Sequence, residues 1–225
     1  MNGSPISAGR AAEASSVRLI ATLAVAGLLS GLIIATVYES TLPTITAYKA
    51  KMLRQAVFTV LPGVSTMEQL VYRDGRLLAA ADKGKDEEAV FAGYDADGRL
   101  LGYAIPAAGP GFQDLISLLY GYLPQERRVV GMAVLESRET PGLGDKIYKD
   151  RSFVDSFSSL RVDPQILAVK KGTSSAPNEV DAITGATISS KAVVRIINQS
   201  LERWDARLQA VADEQRGAAA APRRD

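Results

Sequence analysis

The segment from Asp181 to Lys191, which reads DAITGATISSK, concentrates the side chains that could do chemistry in this chain. Its four hydroxyl groups belong to Thr184, Thr187, Ser189 and Ser190. Gly185 and Ala186 carry almost no side chain, so the backbone can approach a bulky ligand there. Thr187 stands where a helix beginning around Ile188 would present unpaired N–H groups and the positive end of its dipole. A phosphate on or beside Thr187 would have its charge met by that helix end.

The same residue types also fit ordinary helix capping. A Ser or Thr before an apolar helix accepts a hydrogen bond from the first turn, and Gly185 is typical of the turn that precedes it. From the residues alone, both a structural N-cap and an anion site at Thr187 remain open.

A second segment, from Glu139 to Lys146, reads ETPGLGDK. Pro141, Gly142 and Gly144 lie within four positions and predict a tight loop of fixed shape, whose backbone could press against a flat ring. The alternative is a plain turn, because this composition by itself does not require a ligand.

The composition excludes several kinds of chemistry. The 225 residues include neither Cys nor His, so this chain cannot build a disulfide, a Cys/His zinc site, a Ser-His-Asp triad or a thiolate nucleophile. Redox chemistry would therefore need a bound cofactor. The formal net charge of +1 and the pI of about 7.9 give no general electrostatic reason to expect nucleic-acid binding.

The first element expected to position these segments is an uncharged run from Leu19 to Tyr38, LIATLAVAGLLSGLIIATVY. A helix of about 20 residues spans about 30 Å, the thickness of a bilayer core. The run therefore predicts a transmembrane helix in a lipid bilayer. A signal peptide cleaved after Ala24-Val25-Ala26 is the alternative, but it would keep an apolar stretch of only about six residues, against roughly 7–15 in such peptides.

The charges at the two ends of this span do not determine its orientation. The basic residues near it are Arg10 and Arg18 before the span, and Lys49, Lys51 and Arg54 after it. Positively charged residues favour the cytoplasmic side, but these two counts are nearly equal.

Hydrophobic periodicity predicts further elements. It indicates an amphipathic stalk helix over Ile45 to Val60 and a long C-terminal helix from Ile188 to Val211. Apolar runs beside Asp-Gly turns predict two hairpins. The runs are Gln69 to Tyr72 before Asp74-Gly75, and Ala89 to Tyr94 and Leu100 to Ile105 around Asp97-Gly98. Further strands are expected at Leu115 to Tyr120, Val129 to Glu136 and Leu167 to Lys170, with a helical face in Arg151 to Leu160.

These elements predict an α+β protein with one N-terminal transmembrane helix and a single domain, in which helices pack on a mostly antiparallel sheet. The expected boundaries are a short N-terminal tail at 1–18, the transmembrane helix at 19–38, a stalk or linker helix at 39–62, the domain at 63–212 and a disordered tail at 213–225. Between the hairpins, the polar stretch from Asp82 to Glu88 is expected to be a solvated loop.

Both segments resemble motifs of a known family. The string from Asp181 to Ser189 resembles the D-x-x-[ST]-G-A-T-x-[ST] sequence at which a flavin transferase esterifies FMN, through its phosphate, to the last threonine of the [ST]GAT core. The ETPGLG-DK string resembles the upstream loop in the G subunits of Rnf-type ion-translocating electron-transport complexes, and the C subunits of sodium-pumping NADH:quinone oxidoreductases are similar. With the stretch from Ala168 to Gly172, the resemblance extends from about Leu19 to Leu201.

The resemblance implies an FMN-binding domain with FMN attached covalently to Thr187. The other residues that it implies around the flavin are Thr184, Gly185, Ala186, Ser189, Glu139, Thr140, Gly142, Leu143, Gly144 and Lys170. Glu139 could accept a hydrogen bond from the ring or the ribitol, and Lys170 could neutralise the phosphate. The flavin would carry the redox chemistry, so neither a catalytic side chain nor a metal is expected.

The resemblance also implies partners and a location. It implies an electron carrier that exchanges electrons with other membrane and redox subunits of a complex coupling ferredoxin and NAD to ion movement. A flavin transferase would act on the chain during maturation. The chain would cross the bacterial inner membrane once, with its domain on the periplasmic side.

One position departs from the family pattern. Members carry a G-Y-x-G-x-I-x-L-L-x-G segment before the ETPGLG loop, and Asp114 stands here in place of the second glycine. This carboxylate could change the environment of the ring or a contact with a partner. The alternative is a tolerated surface turn.

Two other functions remain open from the sequence. The chain could be a membrane-tethered binding or assembly module without flavin, although the acceptor Thr187 is intact. It could also be a reductase or sensor that binds FMN without a covalent bond.

Overall fold

The computed structural model describes residues 16–73, 75–80 and 88–220, with side chains as far as residue 211. Within the predicted features, most of the N-terminal tail, Asp74 of the first turn, nearly all of the 82–88 loop and residues 221–225 lie outside the described residues. The chain divides after Ala50 into two units, which are treated separately.

The first unit consists of most of helix α1, which extends over Ser16–Val60 and continues into the second unit. Among the described residues it is the one helix long and apolar enough to cross a membrane. Its apolar side chains are exposed, as expected for a helix in contact with lipid; Leu23, for example, is 72% exposed.

Helix α1 differs from the prediction in being continuous. A membrane helix and a separate stalk helix after Pro43 were expected, but Pro43 lies inside one helix of 45 residues. A proline removes only one hydrogen bond from the helical ladder. The threonines on either side add side-chain bonds, since Thr46 Oγ1 donates to the Leu42 and Pro43 carbonyls and Thr41 Oγ1 to the Val37 carbonyl. The helix continues through the proline without a break.

The second unit is built on a seven-stranded antiparallel sheet with the strand order β2-β1-β3-β4-β5-β6-β7. Its strands are β1 Thr66–Arg73, β2 Arg76–Ala79, β3 Ala89–Tyr94, β4 Leu100–Pro110, β5 Leu115–Leu123, β6 Arg128–Ser137 and β7 Leu160–Arg161. The α+β class and both predicted hairpins, β1–β2 and β3–β4, are confirmed.

Smaller elements complete the domain. A parallel pair consists of β8 Leu167–Val169 and β9 Glu179–Asp181. The helices are α2 Lys146–Lys149, α3 Arg151–Asp155, a 3-10 turn Ser156–Ser159 and α4 Thr187–Ala220. The two- and three-residue strands β7 and β9 and the four-residue helix α2 were not predicted, because a periodic pattern needs a longer stretch to be recognised.

Helix α4 is longer than the sequence suggests. A disordered tail was expected from residue 213, but the helix continues to Ala220. The physical reason is composition, since the last residues of the helix are alanines, which have the highest helix propensity. Residues 221–225 of the predicted tail lie outside the described part of the chain.

The sheet has a buried core on each face. Alternate residues of β5 point to opposite sides: Leu118 and Tyr120 pack with α4, whereas Leu119 packs with the end of α1. On the second face Val57 and Val60 of α1 are fully buried. Helix α4 is thereby fixed on the sheet along a face that includes Val193, Ile197 and Trp204, which holds its first turn in place.

Candidate functional site

Thr187 is the first residue of α4 and is exposed to solvent. The turn before it contains Gly185 at φ +81°, a conformation that glycine adopts without strain. The Thr187 hydroxyl has one long hydrogen bond, which it donates to the Ile183 carbonyl at 3.4 Å. The hydroxyl that fastens this turn is instead that of Ser190, which accepts from Ile183 N–H at 3.1 Å and donates to the Ala186 carbonyl at 2.9 Å. Thr187 thus begins the helix while Ser190 stabilises its start.

A cavity of about 500 Å³ opens beside Thr187. It is lined by Ala168, Val169, Lys170, Lys171, Ala182, Thr184, Gly185, Thr187 and Lys191. Three of these residues are lysines, and the first turn of α4 contributes N–H groups that have no partner within the helix. Ammonium groups and a helix N-terminus together favour an anion. The cavity therefore suits a phosphate next to an accessible hydroxyl.

A fourth lysine approaches the same turn from the ETPGLG-DK segment. A Cβ atom built on Gly185 would lie 3.7 Å from Lys146 Nζ. Lys146, Lys171 and Lys191 were not predicted as site residues. Lys191 could have been found, because it lies four positions after Thr187 on the same face of a helix. Lys146 has no such local signal, since only the packing of α2 brings it to Gly185.

Two carboxylates hold successive parts of the loop between β8 and β9, and Asp181 is the one bonded nearer to Lys170 and Lys171. Asp181 Oδ1 accepts hydrogen bonds from the N–H groups of Thr173 at 3.2 Å and Ser174 at 3.0 Å. Glu179 Oε2 accepts from the next two N–H groups, those of residues 175 and 176, at 2.8 and 3.2 Å. The backbone hydrogen bond from Ser174 is the main reason why the pKa of Asp181 is below its usual value.

The ETPGLG segment forms a closed turn. Gly142 has φ +79°, Leu143 N–H donates to the Thr140 carbonyl at 3.1 Å, and Gly142 N–H donates to Asp145 Oδ1 at 2.8 Å. Asp145 is buried and pairs with Lys149 at 2.5 Å. The hydrogen bond from Lys149 is the main cause that lowers the pKa of Asp145. The loop is therefore fixed in shape, as the sequence predicts.

Glu139 is buried and joins three segments. Its Oε1 accepts from Phe112 N–H and Gln113 N–H, both at 2.9 Å, and its Oε2 accepts from the Ser189 hydroxyl at 2.6 Å. Gly144 fits tightly against it, because a Cβ there would lie 2.5 Å from Glu139 Oε2. Both carboxylate oxygens thus already accept from protein donors. Glu139 and Ser189, predicted to contact a flavin, link the ETPGLG loop to α4.

Exposed apolar side chains surround this buried linkage. Phe112 is 65% exposed, Leu143 52% and Ile188 59%. Phe112 donates its N–H to Glu139, while Leu143 and Ile188 directly precede Gly144 and Ser189, which meet beside the Glu139 carboxylate. The Thr140 hydroxyl, another predicted contact, donates to Gln113 Oε1 at 2.7 Å. The site therefore combines a cationic cavity with exposed apolar side chains on α4 and on the two loops that Glu139 links to it.

Asp114 closes the turn that carries Phe112. Its Oδ1 accepts from Leu115 N–H at 2.7 Å, and its carbonyl accepts from Gly111 N–H at 2.8 Å. Arg138 lies 3.8 Å from its other carboxylate oxygen. These bonds are what a surface turn requires, which is one of the two interpretations of this departure from the family pattern.

We expect Glu139→Gln to lower the free energy of unfolding by about 1–2 kcal/mol at neutral pH, and Glu139→Ala by about 3 kcal/mol. Burial raises the pKa of Glu139, but the Ser189 hydroxyl and the N–H groups of residues 112–114 outweigh it and hold the pKa below the usual 4.5. The carboxylate therefore stabilises the fold above pH 4.5, and this contribution is lost as the pH falls through the lowered pKa.

Denaturant unfolding of the full chain in detergent at pH 7 and at pH 3, followed by the fluorescence of the single tryptophan Trp204, measures this effect. The difference in the free energy of unfolding between wild type and Glu139→Gln should be smaller at pH 3 than at pH 7. An equal difference at the two pH values would show that the charge of Glu139 contributes nothing to the stability of the fold.

Comparison with known proteins identifies a domain family and relatives for this chain. Residues 111–202 match the family model described as the FMN-binding domain. The chain is 32% identical to the G subunit of the proton-translocating ferredoxin:NAD(+) oxidoreductase complex of Clostridium ljungdahlii, over 78% of this chain and 84% of that protein. It is 28% identical to the G subunit of the ion-translocating oxidoreductase complex of Methanosarcina acetivorans, over 82% of this chain and 92% of that protein.

The fold is also found in a solved structure. The crystal structure of Shewanella oneidensis NqrC superimposes with a TM-score of 0.64 at 19% identity, over 73% of this chain and 99% of that one. With an apolar N-terminal helix, an antiparallel sheet and the two motifs in order, the chain belongs to the family of G subunits of ion-translocating oxidoreductase complexes, and it carries an FMN-binding domain.

Proposed function

We propose that this chain is a membrane-anchored electron carrier of an ion-translocating ferredoxin:NAD oxidoreductase complex, with FMN bound to Thr187 through a phosphoester. One observation carries the proposal. The accessible Thr187 hydroxyl, at the start of α4, opens onto a cavity of about 500 Å³ lined by Lys170, Lys171 and Lys191. Four further features agree with it: the names of the relatives, the FMN-binding domain, the threonine motif and the membrane helix.

Attachment is a phosphoryl transfer to a hydroxyl. A free phosphate monoester is a poor donor in water, so the donor has to be a flavin phosphoanhydride such as a flavin dinucleotide. The Thr187 Oγ1 forms a bond to the flavin-side phosphorus, the phosphoanhydride bond breaks, and the nucleoside monophosphate leaves. The hydroxyl proton passes to a base on the flavin transferase. No electrons are transferred in this step.

The residues present fit an FMN phosphate, because lysines and a helix N-terminus surround the acceptor hydroxyl. Lys170, Lys171 and Lys191 neutralise the phosphodiester once it is formed, and Lys146 adds a further positive charge beside Gly185. Gly185 lines the cavity and has no side chain to occupy it. Phe112, Leu143 and Ile188 offer an apolar surface to the ring.

Electron transfer to and from partner subunits is the chemistry that a bound FMN supplies. The protein tethers the cofactor so that it is not lost between steps, and the Glu139–Ser189 bond keeps the ETPGLG loop fixed against α4. Because the attachment is through phosphate, side chains near the ring, and not a covalent bond to it, tune the reduction potential.

Helix α1 anchors the chain in the bacterial inner membrane, and we place the domain that follows it on the periplasmic side. The length and apolar character of α1 support the anchor, and the resemblance to the family supports the side. The other membrane and redox subunits of the complex are the expected donors and acceptors.

Intact mass spectrometry of the full chain, produced with and without a flavin transferase, tests the proposal. With the transferase we expect a mass increase of one FMN less one water, on a peptide that contains Thr187, and a fluorescent band after denaturing electrophoresis. Flavin that is present in native buffer and absent after denaturation would favour the non-covalent reductase or sensor. A chain that holds no flavin under either condition would favour the binding or assembly module.

A further inference from the structure

The loop between β8 and β9 places two of the cavity lysines, and its shape depends on few bonds. Lys170 directly follows the last residue of β8, and Gly172 turns the chain at φ +78°. Thr173 then folds back, with its N–H at 3.0 Å and its hydroxyl at 2.7 Å from the Lys170 carbonyl. The turn that carries Lys170 and Lys171 is thus closed at Thr173.

Asp181 is the side chain that fastens this turn to the rest of the domain. It ends β9, where it pairs with Val169, the residue before Lys170. From that position its Oδ1 receives the N–H groups of Thr173 and Ser174 at 3.2 and 3.0 Å. This polar turn is exposed along most of its length and has few buried contacts, so hydrogen bonds are what order it.

Asp181 does not itself line the described cavity beside Thr187. It lines a neighbouring cleft of about 260 Å³ together with Asp150 and Glu179, while Lys171 borders both spaces. The Asp181 carboxylate therefore affects the cavity indirectly, through the turn that carries Lys170 and Lys171.

We propose that Asp181, the first residue of the threonine motif, is a positioning residue that orders the Lys170–Lys171 turn and thereby prepares the site for the flavin phosphate. This inference rests on the proposed function of Thr187. It assigns to Asp181 a role without contact to the flavin: the carboxylate holds backbone N–H groups, and the lysines that the turn carries meet the phosphate.

Charge and geometry predict opposite effects for this residue. A carboxylate near lysines weakens the attraction of an anion, so removing it would increase phosphate binding if only charge mattered. Removing the acceptor of two N–H groups loosens the turn, which decreases binding if geometry matters. Asp181→Asn separates the two, because it removes the charge and keeps an oxygen that can accept both N–H groups.

The test measures the initial rate of flavin attachment to the full chain in detergent, with limiting flavin transferase and a flavin dinucleotide as donor. We expect Asp181→Ala to slow attachment about tenfold, which is the effect of losing about 1.4 kcal/mol. Asp181→Asn should retain the wild-type rate within about twofold, since the hydrogen bonds remain.

Glu179→Ala is the matched control. Its carboxylate holds the next two N–H groups of the same loop, those of residues 175 and 176, which do not border the described cavity beside Thr187. It removes one negative charge from the same cleft, as Asp181→Ala does, and should leave the rate within about twofold of wild type. Thermal unfolding of each variant shows whether the domain remains folded.

Each other outcome overturns a defined part of the inference. Equal losses in Asp181→Ala and Asp181→Asn would show that the charge itself is needed, for example by the transferase. An unchanged attachment rate in Asp181→Ala would show that flavin attachment does not depend on the hydrogen bonds of Asp181 to the turn. Wild-type chain that accepts no flavin would contradict the proposed function of Thr187, which is a different result from either.

Discussion

Thr187→Val should carry no covalently bound flavin, whereas Thr187→Ser should retain it. Valine has nearly the shape of threonine without the hydroxyl, so the pair separates the nucleophilic oxygen from the side-chain volume. Among the described residues, the hydroxyl makes one long hydrogen bond, at 3.4 Å to the Ile183 carbonyl. The stability of the domain should therefore change by less than about 1 kcal/mol.

Denaturing electrophoresis with flavin fluorescence, together with intact mass, measures the attached fraction after co-production with a flavin transferase. Its expected loss in Thr187→Val is complete, because a phosphoester requires an oxygen. Thr184 is the alternative acceptor in the same turn and lines the same cavity. Persistent labelling of Thr187→Val, and its loss on substitution of Thr184, would move the attachment site to that residue.

Gly121→Ala should destabilise the domain by about 3 kcal/mol or more, the largest effect on stability that we expect from a single methyl group. Gly121 of β5 and Gly131 of β6 are cross-strand partners. Because neither has a side chain, the backbone of Val60 at the end of α1 packs directly against them. A Cβ atom on Gly121 would lie 2.0 Å from the Val60 carbonyl oxygen, which is backbone and cannot rotate away. The last turn of α1 would have to leave the sheet, exposing Val57 and Val60.

Thermal unfolding of the full chain in detergent, monitored by Trp204 fluorescence, measures this loss; the indole is 2% exposed and lies in the core. Gly98→Ala is the control. Nothing lies within 4 Å of its Cβ position, so only its positive φ of +77° is strained, at a cost of about 1 kcal/mol. Equal effects of the two substitutions would show that α1 does not press on Gly121.

Much of the fold could be predicted because its signals are local. The two Asp-Gly hairpins, the strands around Leu118 and Val134, and the long helix after Thr187 each follow from periodicity and turn residues over short stretches. The continuity of α1 through Pro43 could not be predicted in the same way. A proline is a probable helix boundary in sequence, and whether it ends a helix depends on the bonds around it.

The structure brings several of the predicted site residues together and shows hydrogen bonds among them that the sequence could not predict. Ser189 and Glu139 bond to each other at 2.6 Å and hold two segments together. Their contact with a flavin stays a prediction. Ser190, which the resemblance did not single out, stabilises the start of α4. The hydroxyls at the start of α4 point in different directions, and the packing of that helix buries Ser189 and Ser190 and leaves Thr187 exposed.

The sequence by itself determined what kind of chemistry this protein can do. Without Cys or His, redox chemistry of this chain requires a bound cofactor, and the threonine motif resembles one at which FMN is attached. The tertiary structure decided which hydroxyls of the motif are exposed and what surrounds them. It leaves Thr187 open to a cavity and gathers lysines from α2, the β8–β9 loop and α4 around one turn. Such a gathering depends on contacts between residues far apart in the chain, and these form only when the helices pack against the sheet.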